Sequence, residues 1–269
     1  MKLKQRIKNI LGLKIWRFLK KLFGRLNLEE VDIVYELLKN SKSSKIMIDV
    51  GAHFGTSLEP FAEDGWDVFA FEPDIKNRKI LNDTCKKYNN VTIDKRAVSN
   101  KDKEILSFYT SDVSSGISSL GSFHKSHKET GLVETVTLES FMNENKIKDL
   151  TFLKIDTEGH DLFVLEGINW EKHKPEVVIC EFEDRKTKPL GYSFDDLAGY
   201  LNEKKYYLLI SEWYPMLEYG HNHKWRQFGK YPYKLIDKKG WGNIIAVKNE
   251  SLMKELEQIS DLYAKKFRS

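Results

Sequence analysis

What most limits the fold of this chain is a repeated change of period. From residue 45 onward, short runs of apolar and β-branched residues alternate with stretches of helical spacing. KIMIDV at 45–50, DVFAF at 67–71, TFLKID at 151–156 and EVVICEF at 176–182 read as strands buried on both faces. Helical patterns at 57–64, 74–88, 159–167 and 194–204 separate them. In the second of these, Asp74 is placed to cap and Ile75, Ile80, Leu81 and Cys85 share the apolar side. Further strands are expected at 91–98, 105–110, 206–210 and 242–248, with an edge strand at 135–141 leading into a short helix and a closing helix at 251–266. Residues 111–126, with seven serines, read as a polar loop, and 211–233 as an aromatic-rich loop. Strands of this kind need helices on both faces, so the pattern predicts an α/β fold with a mostly parallel sheet. No repeat and no linker interrupts residues 41–269, which are read as one domain behind a helical extension at 1–40.

Open parallel sheets bind ligands at the carboxyl ends of their strands. The first strand ends in Asp49-Val50-Gly51-Ala52-His53-Phe54-Gly55, where the two glycines permit a tight turn and close approach of a ligand. The second ends in Phe71-Glu72-Pro73-Asp74. An acid some 20 residues beyond a glycine-rich turn is placed to accept both hydroxyls of a ribose, and Glu72 lies 23 residues after Asp49. The glycine spacing does not fit a dinucleotide fingerprint, and Gly55-Thr56-Ser57 lacks the lysine of a P-loop. Asp49 would repel a pyrophosphate but suits the ammonium of an amino-acid moiety. S-adenosylmethionine has the ribose, the base and the amino-acid tail, and no phosphate.

These motifs carry a resemblance over roughly residues 45–248. IDVGAHFG (48–55), FAFEPD (69–74), RAVSNKDKE (96–104), SGISSL (115–120), FLKIDTEGHDLFVLEG (152–167) and VICEFE (178–183) resemble the FkbM family of S-adenosylmethionine-dependent methyltransferases. The resemblance implies a Rossmann-like class I methyltransferase fold: a seven-stranded, mostly parallel sheet whose antiparallel last strand is 242–248. It implies O-methylation, often of sugar hydroxyls in glycans or glycosylated metabolites. Lipids, small metabolites and protein side chains are alternative acceptors, and a non-catalytic adenosine-ligand protein partnering a glycosyltransferase is the alternative class.

Within that fold, Asp49, Gly51, His53, Gly55, Glu72, Pro73, Asp94, Ala97 and Asp156 are the expected cofactor-binding positions, with Asp94 and Ala97 near the adenine. Asp156, Glu158 and His160 are the expected catalytic residues at the end of the fourth strand. Methyl transfer is an in-line displacement, so the protein must align the acceptor, exclude water and take a proton from a weakly nucleophilic hydroxyl. Asp156 is favoured as base by position; His160 has the more suitable ordinary pKa. Asp156 and Glu158 with Glu181 or Glu183 could offer oxygen ligands to a divalent ion, but the spacing does not demand one and no metal is assigned. His221 and His223 read as a solvated pair, without a cysteine to complete a zinc site. Ser118 and Ser119 in the serine loop, Glu181, and Trp213, Trp225 and Arg226 in the aromatic segment are the expected acceptor contacts. The aromatic segment would otherwise be a hydrophobic cap or the contact of a homodimer.

Charge is distributed unevenly. Nine Lys and Arg and no acid lie in residues 1–26, leaving 35 basic and 40 acidic residues in the remainder. A net acidic body without a basic stripe is a poor nucleic-acid binder. The arm places Ile15, Trp16, Phe18, Leu19, Leu22, Phe23 and Leu26 on one side of a helical wheel and Arg17, Lys20, Lys21 and Arg25 on the other, a pattern suited to an anionic membrane surface or to packing on protein. Two distant cysteines and no secretory pattern point to the cytoplasm, with peripheral contact at the inner membrane face as the variant.

Overall fold

A computed structural model describes residues 28–216 and 223–268. Helix α1 (Glu30–Leu38) leads into β1 (Ile46–Val50), α2 (Glu59–Glu63), β2 (Asp67–Phe71), α3 (Ile75–Cys85), β3 (Val91–Asp94), β4 (Ala97–Val98), β5 (Ile105–Ser111) and a 3-10 turn at Ser115–Ile117. The chain continues through β6 (His127–Val136), α4 (Leu138–Glu144), β7 (Phe152–Ile155), α5 (Asp161–Glu166), β8 (Val177–Glu183) and α6 (Asp184–Thr187). It closes with α7 (Phe194–Glu203), β9 (Tyr207–Trp213), β10 (Trp225–Lys230), β11 (Trp241–Val247) and α8 (Glu250–Arg268).

Eight strands form the main sheet in the order β10-β9-β11-β8-β7-β1-β2-β3. From β3 across to β8 the pairs are parallel, and β11 runs antiparallel to both β8 and β9. The chain leaves β1 towards β2 on one side and returns to its other side with β7. This is the reversal of strand order at which open sheets bind ligands.

Strand alternation supplies two cores, one per face. Ile48, Val50, Leu153 and Ile155 face α4, α5 and α7 through Phe141, Val164, Leu165 and Leu197. Met47 and Phe152 face the other way, against Phe61, Leu81, Met253 and Leu256 of α2, α3 and α8. α1 belongs to this second core through Ile33, Val34, Leu37 and Leu38. Its first residue, Glu30, is buried and accepts hydrogen bonds from Ser211 Oγ (2.6 Å) and Trp213 Nε1 (2.8 Å) on β9. The basic pattern at 1–26 lies outside the described residues.

Three expectations change. The sheet has eight strands rather than seven, because β10 pairs antiparallel with β9 inside the segment read as an aromatic loop. The strand expected at 91–98 is two strands in different sheets. The Asp94 carboxylate grips the Arg96 N–H (2.8 Å) and guanidinium (2.7 Å) and turns the chain between them. The edge strand expected at 135–141 begins earlier, at His127, and ends at Val136; Thr137 then caps α4 through Ser140 N (3.1 Å). With β4 and β5 it makes a separate three-stranded sheet beside the ligand end of the main one.

Candidate active site

The turn after β1 is set by Gly51, whose φ of +79° suits glycine. Gly51 and Ala52 donate their N–H groups to the Phe71 carbonyl, tying this turn to the end of β2. A Cβ on Gly51 would run into the Asp156 carbonyl oxygen, so three strand ends converge here only because that atom is missing. Asp49 stands just behind. It is fully buried, accepts from Ser57 Oγ (2.6 Å), and pairs with Lys154 Nζ (2.9 Å), its cross-strand neighbour on β7. Lys154 also reaches the Gly51 carbonyl (3.4 Å) and Asp156 (3.7 Å).

At the end of β2, Glu72 is 4% exposed and accepts the Asp74 N–H at 2.8 Å. Burial pushes its carboxyl up to about 8, against the lowering effect of backbone N–H groups at Asp74 and His53. A carboxylate offers about four acceptor sites, so two such donors leave capacity for a vicinal diol. Asp74 caps α3 through the N–H groups of Lys76 (2.7 Å) and Asn77 (3.3 Å) and accepts from Ser118 Oγ (3.0 Å). Asn77 Nδ2 donates to the Ser115 carbonyl, and His53 Nε2 lies 3.0 Å from Ser115 Oγ. The serine loop is thereby latched over the turns that follow β1 and β2.

β7 delivers Asp156, Thr157, Glu158 and His160. Glu158 and Gly159 adopt left-handed backbone, which lays Gly159 against Lys186 of α6. Glu158 pairs with Lys186 Nζ at 2.6 Å, and burial pushes its carboxyl up to about 7 despite that cation. His160 is pushed down to about 4 by burial, and its Nε2 sits 3.0 Å from Ser99 Oγ, so the ring is neutral at neutral pH. The Asp156 side chain, by contrast, is nearly half exposed.

Between these ends lies a cavity of about 260 Å³. Of the expected residues, Gly51, His53, Glu72, Pro73, Ala97, Ser118, Ser119, Asp156, Glu158 and His160 line it. Asp49 and Gly55 stand behind its wall, Gly55 because a Cβ would meet Leu81 of α3. Asp94 is committed to Arg96. Glu181 lies beyond Glu158, bound to Lys186. Trp213, Trp225 and Arg226 are elsewhere. Trp213 donates to Glu30, Trp225 Nε1 donates to Ser211 Oγ (3.1 Å), and Arg226 stacks on Tyr214 (4.1 Å) beside Glu212. Asn77, Arg96, Ser115 and Thr157 also line the cavity; the last three lie inside the motifs quoted above, and Asn77 carries no sequence signal of its own. Lys154 and Lys186 had no such signal as charges. His221 lies outside the described residues, and His223 packs its ring edge-on against Trp241.

A family model described as a methyltransferase FkbM domain matches residues 49–208. Among characterised proteins, the hexuronic acid methyltransferase AglP of Haloferax volcanii is 24% identical over 176 residues, 65% of this chain and 69% of that protein. Among solved structures, a precorrin-6y C5,15-methyltransferase from Geobacter metallireducens aligns with a TM-score of 0.44 at 14% identity, covering 83% of this chain and 90% of that one. An rRNA methylase from Streptococcus thermophilus aligns with a TM-score of 0.44 at 8% identity, covering 84% and 99%.

Proposed function

This chain belongs to the FkbM methyltransferase family, and from that premise we propose that it moves the methyl group of S-adenosylmethionine to a hydroxyl of a carbohydrate acceptor. The observation that carries the reading is one cavity with two chemically different ends. Glu72 offers a buried carboxylate with spare acceptor capacity at the end of β2, and Asp156, Glu158 and His160 gather at the end of β7. The first suits ribose hydroxyls, and the second suits an alcohol that must lose a proton. A hexuronic acid methyltransferase among the relatives favours a sugar as that alcohol.

Bound S-adenosylmethionine would supply an electrophilic methyl group on a sulfonium. Glu72 would hold the ribose, and the Gly51 turn would let the ligand approach the strand ends closely. His160, neutral and turned onto Ser99, is a poor proton acceptor and serves as wall. Asp156 keeps the position nearest the strand end and can orient the acceptor hydroxyl. Glu158 has a proton affinity close to neutral pH, which suits a general base. The latched serine loop would keep water from the transfer.

Transfer of labelled methyl from S-adenosylmethionine to glycan fractions tests the reading. Glu158→Gln should lower turnover ~10²-fold or more and Asp156→Asn by less, with affinity for S-adenosylhomocysteine nearly unchanged in both. Label appearing only in lipid or protein would move the acceptor to another class. No affinity for S-adenosylhomocysteine would remove the cofactor assignment.

A further inference from the structure

Beyond Glu158 the site contains a buried cation that the proposed chemistry has not yet used. One carboxylate oxygen from each of Asp156, Glu158 and Glu181 lies within 4.8 Å of the others, close enough to share a single ion. Lys186 already reaches into that cluster. Its ammonium is 2.6 Å from Glu158 Oε2, 2.7 Å from Glu181 Oε2 and 3.1 Å from Glu183 Oε2. The ammonium donates a hydrogen bond to Glu181 and is paired by charge with Glu158 and Glu183. The side chain is 1% exposed, and the ring of Phe123, from the serine loop, covers it at 5.6 Å. Its position is set from below, where Gly159 packs against the Lys186 Cβ and a larger residue would push α6 away.

We propose that Lys186 is the built-in cation of the acceptor end: its ammonium occupies the place a divalent ion would take, fixes Glu158 in the cavity wall, and makes the site independent of divalent metal. This rests on the reading of Glu158 as the proton acceptor. Glu183 has a second cation in Arg185 at 2.7 Å, so the contacts of Lys186 with Glu158 and Glu181 are the ones that matter at the acceptor end. Lys186 is a positioning residue in this account, acting through Glu158.

Titration of the protein with Mn²⁺ by calorimetry, with S-adenosylhomocysteine present, tests the assignment. The natural chain should take up no Mn²⁺ at micromolar concentrations, and Lys186→Arg should behave likewise because it keeps the charge. Lys186→Met should take up one Mn²⁺ per chain, and adding Glu158→Gln should weaken that uptake at least tenfold. Stoichiometric Mn²⁺ uptake by the natural chain that Glu158→Gln abolishes would overturn the proposal, whether or not the lysine variant folds. So would a Lys186→Met protein that still binds S-adenosylhomocysteine and ignores Mn²⁺. Loss of S-adenosylhomocysteine binding by the natural chain is a separate failure, that of the methyl-transfer reading itself.

Discussion

A buried carboxyl such as Glu72 is a titrating switch as well as a hydrogen-bond acceptor. Held at about 8, it is mostly protonated in the ligand-free protein at pH 7. Ribose hydroxyls donate, so they favour its ionised form. Binding below about pH 8 should therefore release a proton, and affinity for S-adenosylhomocysteine should rise with pH up to about 8 and level off above it. Calorimetry across that range checks the sign, and Glu72→Gln should flatten the profile and weaken binding ~10-fold or more. An affinity independent of pH in the natural chain would place the ribose elsewhere. Glu72 could be picked from the sequence because its role depends on spacing from a glycine turn. Lys154 and Lys186 could not. The first sits in an otherwise apolar strand run, and the second lies in Asp184-Arg185-Lys186-Thr187-Lys188, which looks like solvated surface. What buries each is carboxylates brought by other segments: Asp49 from 105 residues away for Lys154, and Glu158 from beyond the end of β7 for Lys186. Trp213 and Trp225 mislead for the same reason. Their indole N–H groups are used by a network anchored on Glu30, 183 residues before Trp213.

Among the elements, the central strands and β5 were legible and most of β6 was not. β1, β2, β7 and β8 are apolar runs broken only by Asp49, Asp67, Lys154, Glu181 and Glu183, a pattern that two-sided burial explains. Most of β6 is exposed and polar, and it holds its place by backbone pairing with β5, which leaves no period in the side chains. The serine loop that follows β5 was legible as a polar loop but not as a latched one. Asn77 to Ser115 and Ser118 to Asp74 are side-chain bonds from α3 and its cap to the loop. Each is worth about 1 kcal/mol, so Asn77→Ala and Ser118→Ala should each weaken S-adenosylhomocysteine binding about fivefold. Because the loop must lift for the ligand to leave, stopped-flow measurement should find the change mainly in the dissociation rate. Equal dissociation rates in the variants and the natural chain would mean that the loop does not gate the cavity.

For the molecule as a whole, no helix among the described residues is long and apolar enough to cross a membrane. Attachment to a membrane would then fall to the basic, aromatic-bearing residues 1–26, where each cation near an anionic surface contributes up to ~1 kcal/mol and salt screens the effect. The full chain should bind anionic vesicles at low salt, release them as salt rises, and lose the binding when 1–26 are deleted. The shortened protein should still fold and bind S-adenosylhomocysteine, because Glu30, beyond the deleted residues, anchors the domain by buried polar contacts. Glu30→Ala, by contrast, should cost about 1–3 kcal/mol in denaturant unfolding, since it orphans buried donors on Ser211 and Trp213. Vesicle binding that survives deletion of 1–26 would assign the membrane contact to the domain.

The docking of α1 has a consequence in time. Its polar anchor is on β9 and its apolar neighbours include α8, elements that lie 181 residues and more further along the chain. During synthesis helix α1 is made early and is among the last elements to find its place, because its seat does not exist until the carboxyl-terminal strands have been produced. Until then the basic arm is joined to an undocked helix with an exposed apolar face. A nascent chain of this design presents residues 1–26 before it has a finished active site.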